Sequence, residues 1–211
     1  MFSSNTKVIT GFSKQESPVK YCLLQGIQTD SVPEAKDELS KMPKEDLIKL
    51  VLSTVSEVSE LFNKGEIYLS SLVKTAEIAS SVLSKINTSE SSGLKVLIAT
   101  VKGDFHDIGK NIVKAVLSAN NISVIDLGKN VSKEQILKAY TEEISAIGLS
   151  ALLSVSVIEM KETISFLKEN KVTCPIIVGG AVLSESVAED INADFYAEDA
   201  TTTANIVLSL K

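Results

Sequence analysis

The chain contains no arginine: all 21 of its basic residues are lysines. Arginine is the preferred group for bidentate clamps on phosphate and carboxylate, and lysine, a flexible point charge, replaces it poorly there. With 27 acidic residues, a formal net charge of −6 and a pI near 5.0, this absence argues against nucleic acid as a partner and against an arginine-anchored acidic substrate. Cysteine is also scarce. Cys22 and Cys174 stand far apart and form no CxxC spacing, which argues against a disulfide framework and against a thiolate zinc site. No run approaches the ~18 apolar residues of a membrane span. The opening stretch MFSSNTKVITGFSK lacks the apolar core of a secretory signal. A reducing cytoplasm, without membrane attachment, is the expected location. Histidine is scarcest of all, since His106 is the only one.

What is present divides into two periods. From 44 to 63, KEDLIKLVLSTVSEVSELFN carries Leu47, Leu50, Val51, Val55, Val58, Leu61 and Phe62 at three- and four-residue steps. That is the pattern of an amphipathic helix, for which Gly65 supplies the cap. The same spacing returns from 67 to 86 through Leu69, Leu72, Val73, Ala76, Ala79, Val82, Leu83 and Ile86. Shorter helices fit 18–28 and 33–41, after a flexible tail over 1–17. The polar stretch NTSESSG, 87–93, reads as a linker. An all-α helical-bundle domain is therefore expected over 18–88, a linker over 89–93 and a second domain over 94–211. In the second domain LKVLIAT (94–100), ISVIDLG (122–128), ISAIGLS (144–150), PIIVGG (175–180) and DFYAED (194–199) are short apolar runs alternating with helical patterns. Runs that are apolar on both faces and alternate with helices belong to a parallel sheet covered on both sides. The expected fold is a doubly wound five-strand α/β domain of flavodoxin-like order, which binds ligands beyond the carboxyl ends of its strands.

His106 sits at that edge. VKGDFHDIGKNIV, 101–113, follows the first strand and places His106 between Asp104 and Asp107. A carboxylate two residues back is within local reach of one ring nitrogen; it would fix the tautomer and raise the basicity of the other. A hydrogen-bonded surface histidine with no further role is the plain alternative. A conventional zinc site fails on ligand count, whereas one histidine suffices for a metal that brings its own equatorial ligands, as a haem or corrin does. Hydrolysis by a Ser-His-Asp triad finds no support, because GLSAL at 148–152 is not a GxSxG elbow. A phosphorylated-aspartate receiver would need an acidic pair near the end of the first strand, and VLIATVKGD lacks it. Gly179 and Gly180 end the fourth strand, where a backbone can approach a bulky ligand closely or simply turn toward the next helix. Ser150 and Leu152 end the third strand, and Ser154 and Ser156 follow in a serine-rich turn. All these positions ring one crevice.

Taken in order, Asp104-Phe105-His106-Asp107-Ile108-Gly109 is a D-x-H-x-x-G motif, Ser150-Ala151-Leu152 an S-x-L, and Gly179-Gly180 a GG. Together they resemble the cobalamin-binding module of corrinoid methyltransferase proteins and of cobalamin-dependent methionine synthase. The resemblance covers 18–211 and extends to the helical half, where SELFNKGEIYLSSLV matches the ELF-x-x-G-x-x-x-L pattern of that family's cap. It implies a cobalamin bound base-off, with His106 as lower axial ligand to cobalt, Asp104 hydrogen-bonded to the imidazole and Ser156 completing the relay. It implies that Gly109, Ser150, Leu152, Gly179 and Gly180 line a slot for the displaced nucleotide tail. Gly103, Phe105, Asp107, Ile108, Ser154 and Ala200 match further cofactor-contacting positions, and Phe62, Leu69 and Leu72 would shield the upper face.

The role so implied is that of a methyl carrier whose cofactor passes between methylcobalamin and cob(I)alamin. It would accept a methyl group from a substrate-specific methyltransferase and hand it to a second methyltransferase, with tetrahydrofolate or a thiol as acceptor. A reductive activase would be a further partner. With only a cap and a cobalamin domain in view, the chain reads as a non-catalytic corrinoid subunit rather than a complete enzyme, and an O-demethylase system is one setting. A cobalamin-binding sensor would need an effector region, such as a basic DNA-binding helix, and none is visible. The small subunit of an adenosylcobalamin mutase shares D-x-H-x-x-G but not the cap pattern at 57–72. There are departures: LLSVSV holds Ser154 and Ser156 where many relatives carry threonines and a methionine, and Ser70 replaces a common proline. The first 30 residues fit the pattern poorly.

Overall fold

A computed structural model describes residues 17–85 and 93–210. The chain divides into two compact units, Met1–Ile86 and Asn87–Lys211. Apart from Ser17, the expected tail lies outside the described residues, as does the expected linker apart from Gly93.

The first unit is helical. Its helices are α1 (Pro18–Gln25), α2 (Pro33–Lys41), α3 (Lys44–Asn63) and α4 (Leu69–Ser84), with one 3-10 turn at Thr29–Ser31. Ser17 caps α1 through its side chain, and Pro18 occupies the first turn, where its missing N–H costs nothing. Glu38 of α2 reaches the same helix start, accepting from Ser17 Oγ at 2.9 Å and from the Val19 amide at 2.8 Å. The helix expected over 18–28 stops at Gln25 because Gly26 turns left-handed at φ 63. After α3, Gly65 donates to Phe62 O and Glu66 to Leu61 O, both at 2.9 Å. This paired closure delays the next helix from 67 to Leu69. Val19, Cys22, Leu23, Val51, Val58, Ala79, Val82 and Leu83 form the dry interior. Thr75 Oγ1 ties α4 to α1 by donating to Leu23 O at 2.9 Å.

The second unit alternates strands and helices: β1 (Lys95–Thr100), α5 (Ile108–Ala119), β2 (Ser123–Asp126), α6 (Lys133–Ala139), β3 (Ala146–Ser150), α7 (Ser156–Glu169), β4 (Ile176–Gly179), α8 (Glu185–Asp190), β5 (Phe195–Tyr196) and α9 (Ala200–Leu208). All pairings are parallel and the strand order is β2-β1-β3-β4-β5, the flavodoxin-like arrangement. One face carries Leu97, Ala99, Ile147 and Leu149 packed with Ile136, Met160, Ile164 and Leu167. Strand alternation turns Val96 and Ile98 to the other face, where they are equally buried. There α5 contacts β1 and β2 and packs on α9. Two strand runs end earlier than their apolar length suggests, because acidic side chains take over the ladder. Asp194 accepts from the Ile176 amide at 2.8 Å just before β5, and Asp199 caps α9 just after it. Asp126 accepts from the Gly128 amide at 2.9 Å, closing β2.

Burial on both faces makes a testable statement. Leu97→Ala and Ile98→Ala point to opposite layers, yet each is expected to destabilise by about 2–5 kcal/mol. Urea unfolding with an unchanged slope checks this, and a near-neutral result for either variant would mean that its face is open to solvent.

Candidate functional site

The strand register sets Thr100, Ser150 and Gly179 side by side at the carboxyl edge of β1, β3 and β4. This is the point where the strand order reverses, so loops leaving β1 and β3 diverge and a crevice opens between them. Residues 101–107 leave β1 and carry the D-x-H-x-x-G residues; 151–155 leave β3 and carry the S-x-L residues.

Asp104 joins these loops. Its side chain is fully buried, while the His106 side chain is 51% exposed. Oδ1 of Asp104 accepts from the His106 amide at 3.0 Å and lies 2.8 Å from His106 Nδ1. Oδ2 accepts from the amides of Leu152 at 2.7 Å and Leu153 at 3.1 Å. Burial alone would push this carboxyl up, but the hydrogen bonds from the His106 amide, Leu152, the imidazole and Leu153 outweigh it and hold the pKa at about 2. At neutral pH the group is thus an acceptor only, so Nδ1 must be the donor in their contact. The neutral imidazole then presents Nε2 as a lone pair, and that nitrogen has no hydrogen-bond partner among the described residues.

The other expected residues are distributed around this pair. Gly103 (φ 81), Phe105 and Gly109 are exposed, and Asp107 and Ile108 are half-buried, at the loop and the start of α5. Ser150 Oγ is 2.8 Å from Thr100 Oγ1, which also donates to the His106 carbonyl at 3.3 Å. Leu152 and Ser154 are exposed in the turn before α7. Gly180 has φ 139, and a Cβ there would stand 1.9 Å from the Ala151 carbonyl oxygen; at Gly179 it would stand 3.0 Å from that of Ala197. Ala200 is buried at the first position of α9.

Ser156 opens α7, is buried, and its Oγ has no hydrogen-bond partner among the described residues. The Leu152 and Leu153 amides occupy the Asp104 oxygen that the relay would have offered to it. Phe62 and Leu72 are half-buried against Leu24, Val58 and Ile67 inside the helical unit. Leu69 begins α4, and its side chain lies outside the described residues. Thr100 escaped the sequence reading because a single hydroxyl at a strand end carries no spacing signal. The Leu152 and Leu153 contacts are made by backbone, which composition does not report.

Phe105, Leu152, Leu153, Val155 and Ile158, all on the loops and first helical turn at this edge, are exposed large apolar residues. Among the described residues no cluster of three or more His, Cys, Asp or Glu could hold a metal ion. One free imidazole nitrogen, an exposed apolar rim and a glycine-lined edge fit a flat, largely apolar group whose metal needs a single protein ligand.

Fold and site thus define a doubly wound ligand-binding module with a histidine at its ligand edge. Comparison with known proteins agrees. Residues 94–207 match the B12 binding domain. A corrinoid protein of Desulfitobacterium hafniense is 36% identical over 170 residues, spanning 73% of this chain and 78% of that protein. Dimethylamine corrinoid protein 1 of Methanosarcina acetivorans is 33% identical over 180 residues, spanning 81% and 84%. The structure of the Methanosarcina barkeri monomethylamine corrinoid protein aligns with a TM-score of 0.70 at 25% identity, over 94% of this chain and 100% of that one. A chain of the methanol:cobalamin methyltransferase complex from Methanosarcina barkeri aligns with a TM-score of 0.55 at 26% identity, over 92% and 78%. The chain belongs to the B12-binding-domain family and, within it, to the corrinoid proteins of methyltransferase systems. No helix among the described residues is long and apolar enough to cross a membrane.

Two substitutions probe this geometry. Asp104→Asn places an amide NH₂ among N–H donors, so a stability loss of about 1–3 kcal/mol is expected. Its NH₂ facing Nδ1 would also move the imidazole proton to Nε2, which ring ¹⁵N shifts of the cofactor-free protein report. The pH dependence follows in sign. A carboxyl held at about 2 against an ordinary 3.8 stabilises the fold fully above about pH 5 and loses that contribution, about 2 kcal/mol, as pH falls through about 2. Asp104→Asn should lack this acid-limb loss. Gly180→Ala meets the Ala151 carbonyl directly; a destabilisation of about 3 kcal/mol or more, from overpacking added to strain, is expected in thermal unfolding.

Proposed function

We propose that the chain is a methyl carrier that holds cobalamin base-off at His106 and serves two methyltransferases in turn. When bound, the cofactor supplies a metal centre that takes up and gives up a methyl group. The chain's own residues supply position and protonation. His106 Nε2 is the lower ligand, and Asp104 holds the Nδ1 proton through a charge-assisted bond. Gly109, Ser150, Leu152, Gly179 and Gly180 line the slot for the nucleotide tail. Gly103, Phe105, Asp107, Ile108, Ser154, Ser156 and Ala200 contact the cofactor elsewhere. On the same reading Phe62, Leu69 and Leu72, the shielding positions that the resemblance implies, would keep water from the bound cofactor. The observation that carries this reading is the Asp104–His106 contact at 2.8 Å on a half-exposed imidazole whose Nε2 has no partner among the described residues.

The donor-side partner is a substrate-specific methyltransferase and the acceptor-side partner a second one working on tetrahydrofolate or a thiol, with a reductive activase to recover oxidised cofactor. The cytoplasm is the proposed setting. The relatives' names include dimethylamine, monomethylamine and methanol systems, which supports a small methylated amine or alcohol as donor. The methyl ethers of an O-demethylase system are the alternative donor class. A screen of these donors with a reconstituted partner methyltransferase distinguishes them.

Electron paramagnetic resonance of the cob(II)alamin-loaded protein tests the ligation. Nitrogen hyperfine splitting should respond to ¹⁵N-histidine in the protein and not to label in the benzimidazole. His106→Ala should abolish that splitting while retaining bound cofactor. A benzimidazole nitrogen on cobalt in wild type would refute base-off binding. The pure chain given methyl donors alone should show no turnover, and rapid turnover without a partner would refute the carrier role.

A further inference from the structure

The turn after β2, residues 128–131, faces the histidine loop and holds it at several points. Gly103 and Asn130 are both left-handed, at φ 81 and φ 55. Such a backbone suits glycine and is tolerated by asparagine. Here the asparagine side chain has a partner in the other loop: Gly103 N–H donates to Asn130 Oδ1 at 2.9 Å. The Asn130 amide returns a bond to the Asp104 carbonyl at 3.0 Å. On either side, Thr100 N–H donates to Gly128 O and Val131 N–H to Thr100 O, both at 3.0 Å.

The turn is itself anchored. The Gly128 amide donates to Asp126 Oδ1 at 2.9 Å, and the same carboxylate takes Lys110 Nζ at 2.6 Å and Lys114 Nζ at 3.3 Å. Lys110 is buried, with its side chain only 3% exposed, in the first turn of α5, the helix into which the histidine loop runs. The result is a closed ring: histidine loop, Lys110, Asp126, the 128–131 turn, and back to Gly103 and Asp104. Within it the Asp104 main chain is fixed on both sides, since its own amide donates to Val101 O at 3.1 Å. The direction of its carboxylate, and so the orientation of the imidazole, follows from that fixed backbone.

We infer that Asn130 is a positioning residue for His106, acting through the Gly103 amide and the Asp104 carbonyl. The inference rests on the reading of His106 as the cobalt ligand, and it can be tested with and without cofactor. Asn130→Gly keeps the left-handed turn and removes only the side-chain acceptor; Asn130→Asp keeps both. In the cofactor-free protein, Asn130→Gly should accelerate exchange of the Gly103 amide and shift the His106 ring ¹⁵N resonances, with Asn130→Asp restoring both. In the cob(II)alamin-loaded protein, the ratio of histidine-ligated to unligated cofactor should fall roughly five- to tenfold in Asn130→Gly, as expected for one lost hydrogen bond. Total bound cofactor should change less. Faster Gly103 exchange with unmoved His106 resonances and an unchanged ligation ratio would overturn the inference. If wild type shows no protein nitrogen on cobalt, the functional reading fails, and the cofactor-free resonances alone decide whether Asn130 positions the ring.

Discussion

One buried carboxylate governs the geometry of the site. Moving an ionised group out of water costs several kcal/mol unless charge or hydrogen bonds replace its hydration. Among the described residues no lysine pairs with Asp104; its oxygens are satisfied by three backbone amides and one imidazole N–H. Those donors come from two loops that the doubly wound topology sends apart. The carboxylate therefore fastens the β1 loop to the β3–α7 turn across the crevice, and either loop moving away would leave a buried charge short of donors. Keeping it ionised keeps the crevice in shape.

The same constraint selects the chemistry of the histidine. An acceptor-only partner at Nδ1 leaves one tautomer for the neutral ring, with its lone pair at the exposed nitrogen. A surface histidine without such a partner would divide between tautomers and turn about χ1. Exposed Phe105, Leu152 and Leu153 lie in the two fastened loops, so the apolar rim and the imidazole are held by one set of bonds. Gly180 belongs to the same economy of space: the Ala151 carbonyl occupies the position a side chain would need, bringing the end of β4 against the turn that carries Leu152.

Much of this was legible in the sequence. The bounds of α2 and α3 follow from punctuation: Pro33 opens one, Pro43 precedes the other, and Gly65 closes it. The five strands show as apolar runs, with both faces covered in β1, β3 and β4 and with Ile125 and Phe195 exposed on the edge strands β2 and β5. Their ends do not, since Asp126 and Asp194 terminate ladders through contacts made only after folding. In the site, the D-x-H-x-x-G, S-x-L and GG positions share the carboxyl edge because each closes a strand whose place is fixed by apolar pattern. Asn130 reads in sequence as an ordinary turn former, and its bond to Gly103 exists only because β1 and β2 are neighbours. Ser156 shows in the sequence as a serine near the motif, but the Leu152 and Leu153 backbone amides that hold Asp104 do not show.

The missing arginine is consistent with this arrangement. A guanidinium beside Asp104 would satisfy it with several donors at once, but would bring a full positive charge into the site. That charge would compete with any positive charge on the imidazole and weaken the hold of the carboxylate on the Nδ1 proton. Backbone amides carry only partial charge, so among the described residues the imidazole remains the sole side-chain partner of the anion. The buried cation is placed one turn into α5 instead, where Lys110 neutralises Asp126 and braces the neighbouring turn. Full charge is thus used to hold the scaffold, and partial charge to hold the carboxylate beside the histidine, which leaves Nε2 of His106 unpaired among the described residues.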